Sequence, residues 1–436
     1  MKNVVPEWFK NASVYQINPR TFSSDGTIKS VTKELPFLAN LGFKIMYLCP
    51  IFEEDDSKDI NFWSDRQKKS ETNNPKNPYR MNDYFKIDTE YGSMDDLQEF
   101  VKESHRLGMK VILDLVYLHI GPNAPILKAH PEFTNTDADG NIILGKWHFP
   151  LFNYESNGVR EYLWSNMVYY IGEIGADGFR CDVGDQVPLD FWREGKRRIK
   201  TINPQAIMIN EGEKAEYLTV FDANYGFHWH SHIYKLLHKE ITGNDVVEKH
   251  KSVAKDYPQN AIILRDMDNH DTVTDWPYRI EEHFGNDCME LILALNYSID
   301  GVPMVYCGNE LADTARISMF ANRFFRGKFE VTDRDALKQT APAKRRIETI
   351  KILNKIKSEY PALTEGKTEW IETVNPYVLA FDRICENQKI TFVCNFSQET
   401  VNVALNPSGE ILLSHNTVTE NGTLTFAPYG YIIVKG

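Results

Sequence analysis

The sequence predicts an α/β fold: a (β/α)8 TIM barrel with a small insertion after strand three and a C-terminal antiparallel β domain. Three observations predict it. Eight short apolar, β-branched runs alternate with amphipathic stretches, two polar, turn-rich segments interrupt that alternation after strand ends, and beyond about residue 360 the periodicity changes from helical to two.

The eight runs are 13–18, 43–48, 110–116, 177–182, 206–211, 218–221, 261–266 and 302–306. Helical patterns separate them, as at 31–41, 94–107, 158–174, 189–202 and 289–298, with apolar residues three and four apart. The run 218–221 is the briefest, and its partner helix is expected within 229–240. The interruptions are 52–85, rich in Asn, Asp and Pro, and 118–154, with turns at Gly121-Pro122 and Asp139-Gly140. Barrel enzymes carry their sites at the carboxyl ends of the strands, so these loops are expected to wall a cleft. After a basic helix at 343–358 come period-two strands at 377–382, 389–395, 400–405 and 429–434. The expected organisation is a barrel over residues 1–117 and 157–360, a small inserted domain at 118–156, and an antiparallel β domain at 361–436.

A chain of 436 residues, 42% hydrophobic and 25% charged, can bury a core without metals or disulfides. Its net charge of −12 argues against nucleic acid and against an anionic membrane surface, and suits a neutral substrate. No run approaches the roughly 18 apolar residues of a spanning helix, and Met1 to Trp8 lacks the apolar core of a signal peptide. Six cysteines are scattered without a C-x-x-C pair, and several sit in apolar runs as small hydrophobes. A cytoplasmic location is the expectation. The oligomeric state is not legible.

Four strand ends finish in polar or ionisable groups: Asp114 to His119, Arg180-Cys181-Asp182, Asn210-Glu211 and Asp268-Asn269-His270-Asp271, with Tyr79 on the first interruption a possible fifth contributor. A single Asp after a strand reads most simply as a helix cap. Several acids converging from different strands resist that reading, because like charges suppress each other's ionisation. Retaining glycoside cleavage needs such a set: one carboxylate as nucleophile and a second, protonated, as acid. Strand alternation puts Arg180 and Asp182 on one face, where the guanidinium favours an ionised, nucleophilic Asp182. Glu211, with Met208 and Ile209 behind it, is placed to keep a raised pKa and donate a proton.

Those residues carry a resemblance, running from about Trp8 to Gly436, to the α-amylase family of glycoside hydrolases, family 13 of the sequence classification. Gly178-Phe179-Arg180-Cys181-Asp182 resembles the family's Gly-x-Arg-x-Asp region, Asn269-His270-Asp271 its Asn-His-Asp region, and Asp114 to His119 its first region. Segments 42–50, 79–84, 91–92 and 301–310 match in the same order. The resemblance implies Asp182 as nucleophile, Glu211 as general acid/base, and Asp271 as transition-state stabiliser. It implies further that Arg180 orients Asp182, that His119 and His270 bond sugar hydroxyls, and that Tyr79 stacks on that sugar. Trp63, Trp147, Trp229 and Trp276 are further stacking candidates, of which one or two are expected to serve, and the charge-dense stretch 53–69 reads as a solvated loop.

The chain also departs from the family. Leu118 stands where the first region has Asn, and Leu151 and Phe152 replace acids that often serve the family's calcium, so no metal or other cofactor is expected. Arg80 follows Tyr79 where pocket-type relatives have Asp, which leaves endo or exo action open. The expected function is a retaining α-glycosidase on α-1,4- or α-1,6-linked gluco-oligosaccharides. A transglycosylase or isomerase on the same donors is the alternative, and a non-catalytic binding or interaction protein is the alternative of another class.

Overall fold

A computed structural model describes every residue except 1–4, 260, 328–329, 406 and 421. Eight strands close into a parallel barrel: Val14–Ile17, Ile45–Leu48, Lys110–Leu115, Gly178–Cys181, Ile207–Asn210, Ala223–Tyr225, Ile263–Arg265 and Val302–Tyr306. Each pairs with the next in the chain, and the eighth closes on the first, with Val14 opposite Met304. Alternation splits the strand residues between two cores. Val14, Ile45, Tyr47, Ile112, Ile207, Ile209, Leu264 and Met304 fill the barrel, while Tyr15, Met46, Val111, Phe179 and Met208 face the surrounding helices.

The sixth strand is not where the apolar run placed it. Residues 218–221 belong to a 3-10 turn, Ala215–Thr219, and the loop after it, and the strand is Ala223–Tyr225. The apolar run misleads because Leu218 and Phe221 are buried as packing residues of that turn. The true strand has a polar centre, Asn224, whose side chain accepts a hydrogen bond from Asn210 at 3.0 Å and so ties strand six to strand five. The expected partner helix follows as Phe227–Leu237.

After the helix Ala341–Glu359, an antiparallel sheet runs in the order Lys367–Trp370, Val378–Cys385, Gln388–Asn395, Thr423–Lys435, Val401–Val403, with Glu410–Glu420 also paired to Thr423–Lys435. Two of these strands were not foreseen. Lys367–Trp370 and Glu410–Glu420 alternate only between exposed and half-buried positions, so neither shows the apolar period that marks a strand. Among the described residues no helix is long and apolar enough to cross a membrane.

Candidate active site

Each site residue is placed by a strand end. Asp182 and Glu211 directly follow strands four and five, and their backbone N–H groups extend the ladder by donating to Leu115 O at 2.9 Å and Cys181 O at 3.1 Å. Asp114 lies within strand three, in register with Arg180. His270 and Asp271 sit in the first turn of a short helix after strand seven, where the Asn269 side chain accepts from the N–H of Asp271 at 2.8 Å and of Thr272 at 3.0 Å.

Arg180, almost fully buried, is the hub. Its Nη1 donates to Asp114 Oδ1 and to Asp182 Oδ1, both at 2.8 Å, and its Nη2 forms an ion pair with Glu211 Oε1. One guanidinium therefore holds three carboxylates brought by three strands, using the several donors of its planar fork. Its burial would lower its own pKa, but Asp114 and Glu211 outweigh that and raise it.

The three acids named by the sequence reading lie in one cleft but in different electrostatic states. Burial pushes Asp182 up to about 7 although Arg180 pulls against it. Burial pushes Glu211 well above the usual carboxylate range, with Asp182 and Asp271 adding to the rise against Arg180. Burial would raise Asp271 too, yet His270, Arg66 and Arg180 together hold it well below its ordinary value.

The flanking groups are fixed by hydrogen bonds. His270 is held at both ring nitrogens, with the Gln16 amide 2.9 Å from Nδ1 and the Tyr79 hydroxyl 2.6 Å from Nε2. Tyr79 stacks on His270 with centroids 5.4 Å apart and also donates to Asp114 Oδ2 at 3.2 Å. His119 donates Nε2–H to Tyr79 O at 2.8 Å and keeps Nδ1 buried without a partner. Burial lowers its pKa to about 4, so the ring is neutral at physiological pH with Nδ1 an acceptor, and the residue lines the cleft.

Four features escaped the sequence reading. Val183, directly after Asp182, adopts a left-handed backbone at φ 37°, costly for a β-branched residue by roughly 1–3 kcal/mol, and its N–H donates to Glu211 Oε2 at 2.7 Å. Asp114, read only as the start of a motif, accepts from Tyr47, Tyr79 and Arg180. Phe149 lines the cleft with its ring 4.9 Å from that of His119. The stretch 53–69, expected to be a solvated loop, reaches the site instead: Arg66 Nη2 pairs with Asp271 Oδ1 at 2.7 Å and Nε with Asp275 Oδ1 at 2.9 Å. Such a long-range pair leaves no mark in local periodicity.

Of the four tryptophans, only Trp147 lines the cleft. Trp229 is buried with its Nε1 on Asn296, Trp63 bonds its own loop at Ser57 O, and Trp276 packs on His230 and Tyr234. Arg80 turns away from the cleft into a nest of carbonyls from Asp55, Phe62 and Pro75. The cleft encloses only about 80 Å³, well under the roughly 300–1,000 Å³ of small-molecule pockets.

The residues at the family's calcium position do not suit that ion. Leu118 presents a carbon side chain, its carbonyl accepts from Phe152 N at 3.2 Å, and Phe152 is buried in the core. In the Asp139-Gly140 turn nearby, the Asp137 carboxylate accepts from the N–H groups of Asp139 and Asn141, both at 2.9 Å, and so caps its own turn rather than standing free for a cation.

Comparison with known proteins agrees with this fold. The profile "Alpha amylase, catalytic domain" matches residues 3–139, and the profile "Beta-galactosidase C-terminal domain" matches residues 382–436. "Alpha-amylase 3" of Dictyoglomus thermophilum is 24% identical over 98% of this chain and 94% of its own length. A cyclomaltodextrinase of a Bacillus species is 27% identical over 70% of this chain, and the match spans 60% of that relative. The crystal structure of an α-amylase from Lactobacillus plantarum superposes with a TM-score of 0.81 at 22% identity, covering 98% of this chain and 99% of the other. Fold and relatives together define a class, enzymes that cleave or transfer glycosidic bonds. The chain is similar to the α-amylase family of glycoside hydrolases, to the family model over residues 3–139 and to individual members over nearly its whole length.

Proposed function

We propose that the chain is a retaining α-glycosidase acting on neutral, α-linked gluco-oligosaccharides through a covalent glycosyl-enzyme intermediate. The observation that carries the reading is Arg180, which gathers Asp182 and Glu211 onto one guanidinium while leaving their pKa values above the usual carboxylate range. Asp182, paired with Arg180, attacks the anomeric carbon as a carboxylate. Glu211, which burial pushes well above the usual carboxylate range, gives its proton to the departing glycosidic oxygen as the C–O bond breaks. Water then attacks the anomeric carbon, Glu211 takes its proton, and Asp182 leaves, so two inversions restore the α configuration. Asp271, kept ionised, stabilises positive charge on the ring. His119 Nδ1 accepts a sugar hydroxyl, and His270, held at both ring nitrogens, orients Tyr79, which supplies an aromatic face. Arg66 covers Asp271 between turnovers, and a sugar enters the small cleft as that pair opens. Calcium has no part in this scheme.

The test is product analysis after incubation with maltose, maltotriose, isomaltose, trehalose, sucrose and starch. Shorter α-gluco-oligosaccharides released into water support the reading. Longer or rearranged products without net hydrolysis would replace hydrolysis by transfer or isomerisation.

A further inference from the structure

A second cavity, of about 800 Å³, lies at the amino ends of barrel strands seven and eight, between the helix Gly243–Asp256 and the C-terminal sheet. It is thus at the opposite end of the barrel from the carboxylate cleft. In a chain of net charge −12, five lysine and arginine side chains line it against two carboxylates, Asp300 and Glu365.

The imbalance extends into the interior. Arg265, Lys357 and Arg383 are each at most 2% exposed. Asp300 answers Arg265 directly, accepting from its Nη2 at 2.8 Å, and also takes His250 Nε2 at 2.9 Å. Among the described residues Arg383 donates to Ala362 O, Gly366 O and Thr368 Oγ1, and Lys357 to Gly301 O and Leu363 O, none of them a carboxylate. Two buried guanidinium groups, Arg265 and Arg383, thus share one carboxylate, with the Lys357 amine beside them. Burial and the neighbouring cations pull Lys357 well below its ordinary range and Arg383 to about 10. Arg265 lines the cavity, and its Nη1 is buried with no hydrogen-bond partner. Trp370 and Tyr257 add aromatic surface to the same wall.

We propose that this cavity binds a small phosphate monoester, its phosphate bonded by Arg265 Nη1 and attracted by Lys251 and Lys367 at the rim, its organic part lying against Trp370 and Tyr257. A phosphate monoester carries about −1.5 to −2 charges near pH 7 and offsets more of the lining's excess of cations than a carboxylate would. Its three acceptor oxygens match a guanidinium that has donors to spare. The cavity is walled by the barrel and the C-terminal sheet together, so occupancy holds the two in one arrangement.

Isothermal titration and thermal melting of the whole chain test this, with glucose 6-phosphate, inorganic phosphate, glucose and sodium chloride at matched ionic strength. Glucose 6-phosphate is expected to raise the melting temperature and to bind at least tenfold more tightly than glucose. Binding equal for inorganic phosphate and glucose 6-phosphate would overturn the aromatic part of the proposal. K251E/K367E changes two exposed rim residues, spares the fold, and is expected to weaken glucose 6-phosphate at least tenfold. Arg265→Lys keeps the charge but removes the free Nη1, and should weaken it as well. Heat and melting shifts no larger than those with chloride, or binding unchanged in K251E/K367E, would overturn the proposal.

Discussion

At the carboxyl end of the barrel four carboxylates, Asp114, Asp182, Glu211 and Asp271, lie around Arg180; at the amino end three basic side chains, Arg265, Lys357 and Arg383, lie around Asp300. The two ends bury ionisable groups of opposite sign, brought together from strands, loops and helices. They differ in what the excess does. At the carboxyl end burial, with the neighbouring carboxylates adding to it, lifts Asp182 and Glu211 toward neutrality, whereas at the amino end the excess leaves guanidinium donors that a proton cannot satisfy. An acidic cluster thus relieves itself by binding protons, which suits catalysis, and a basic one built on arginine needs an external anion.

The largest expected effect comes from breaking the acidic cluster. Asp182→Asn should lower kcat by on the order of 10³-fold or more, since no second group can form the covalent intermediate. A variant retaining a tenth of wild-type activity would remove Asp182 from the nucleophile role. The same variant should gain stability. The folded-state pKa of Asp182, about 7, lies above the ordinary 3.8, so the native state holds the proton longer and loses stability as pH rises through that interval. Melting curves should therefore place Asp182→Asn above wild type at pH 8 and level with it at pH 4.

Arg66→Ala comes next. Without its pair Asp271 is freer to take a proton, and kcat/KM is expected to fall by about tenfold, as for loss of one charge-assisted contact. A kcat/KM equal to wild type would leave Arg66 a loop residue only.

In wild type the pH profile of kcat/KM should be a bell. Activity rises through about pH 7 as Asp182 loses its proton and falls at higher pH as Glu211 does, the two values belonging to the coupled pair. A flat profile from pH 5 to 9 would contradict these electrostatics. The smallest expected effect is that of a strong chelator, which should leave activity and melting temperature unchanged. A melting point that drops on chelation and recovers with calcium would show a metal site that Leu118 and Asp137 do not disclose.

The barrel was legible because each strand is an apolar run in a repeating order, and seven of the eight lie within the segments the runs mark. The sixth was not, because Asn224 interrupts its apolar character while Leu218 and Phe221 mimic a strand nearby. The C-terminal edge strand Glu410–Glu420 was invisible for the opposite reason: it has little buried side to display. Asp182, Glu211, Asp271, Arg180, His119, His270 and Tyr79 do meet in one cleft, since their positions follow from strand ends. Arg66 and the strained Val183 did not show, because a pairing 205 residues away and a backbone angle are properties of the folded chain alone.

The central claim is retention through a covalent intermediate on Asp182, and the anomeric form of the first product tests it most directly. Early-time proton NMR of the cleavage of an α-linked maltooligosaccharide, read before mutarotation, is predicted to show the α-anomer, as expected for carboxylates about 5–5.5 Å apart. A first-formed β-anomer would contradict the account.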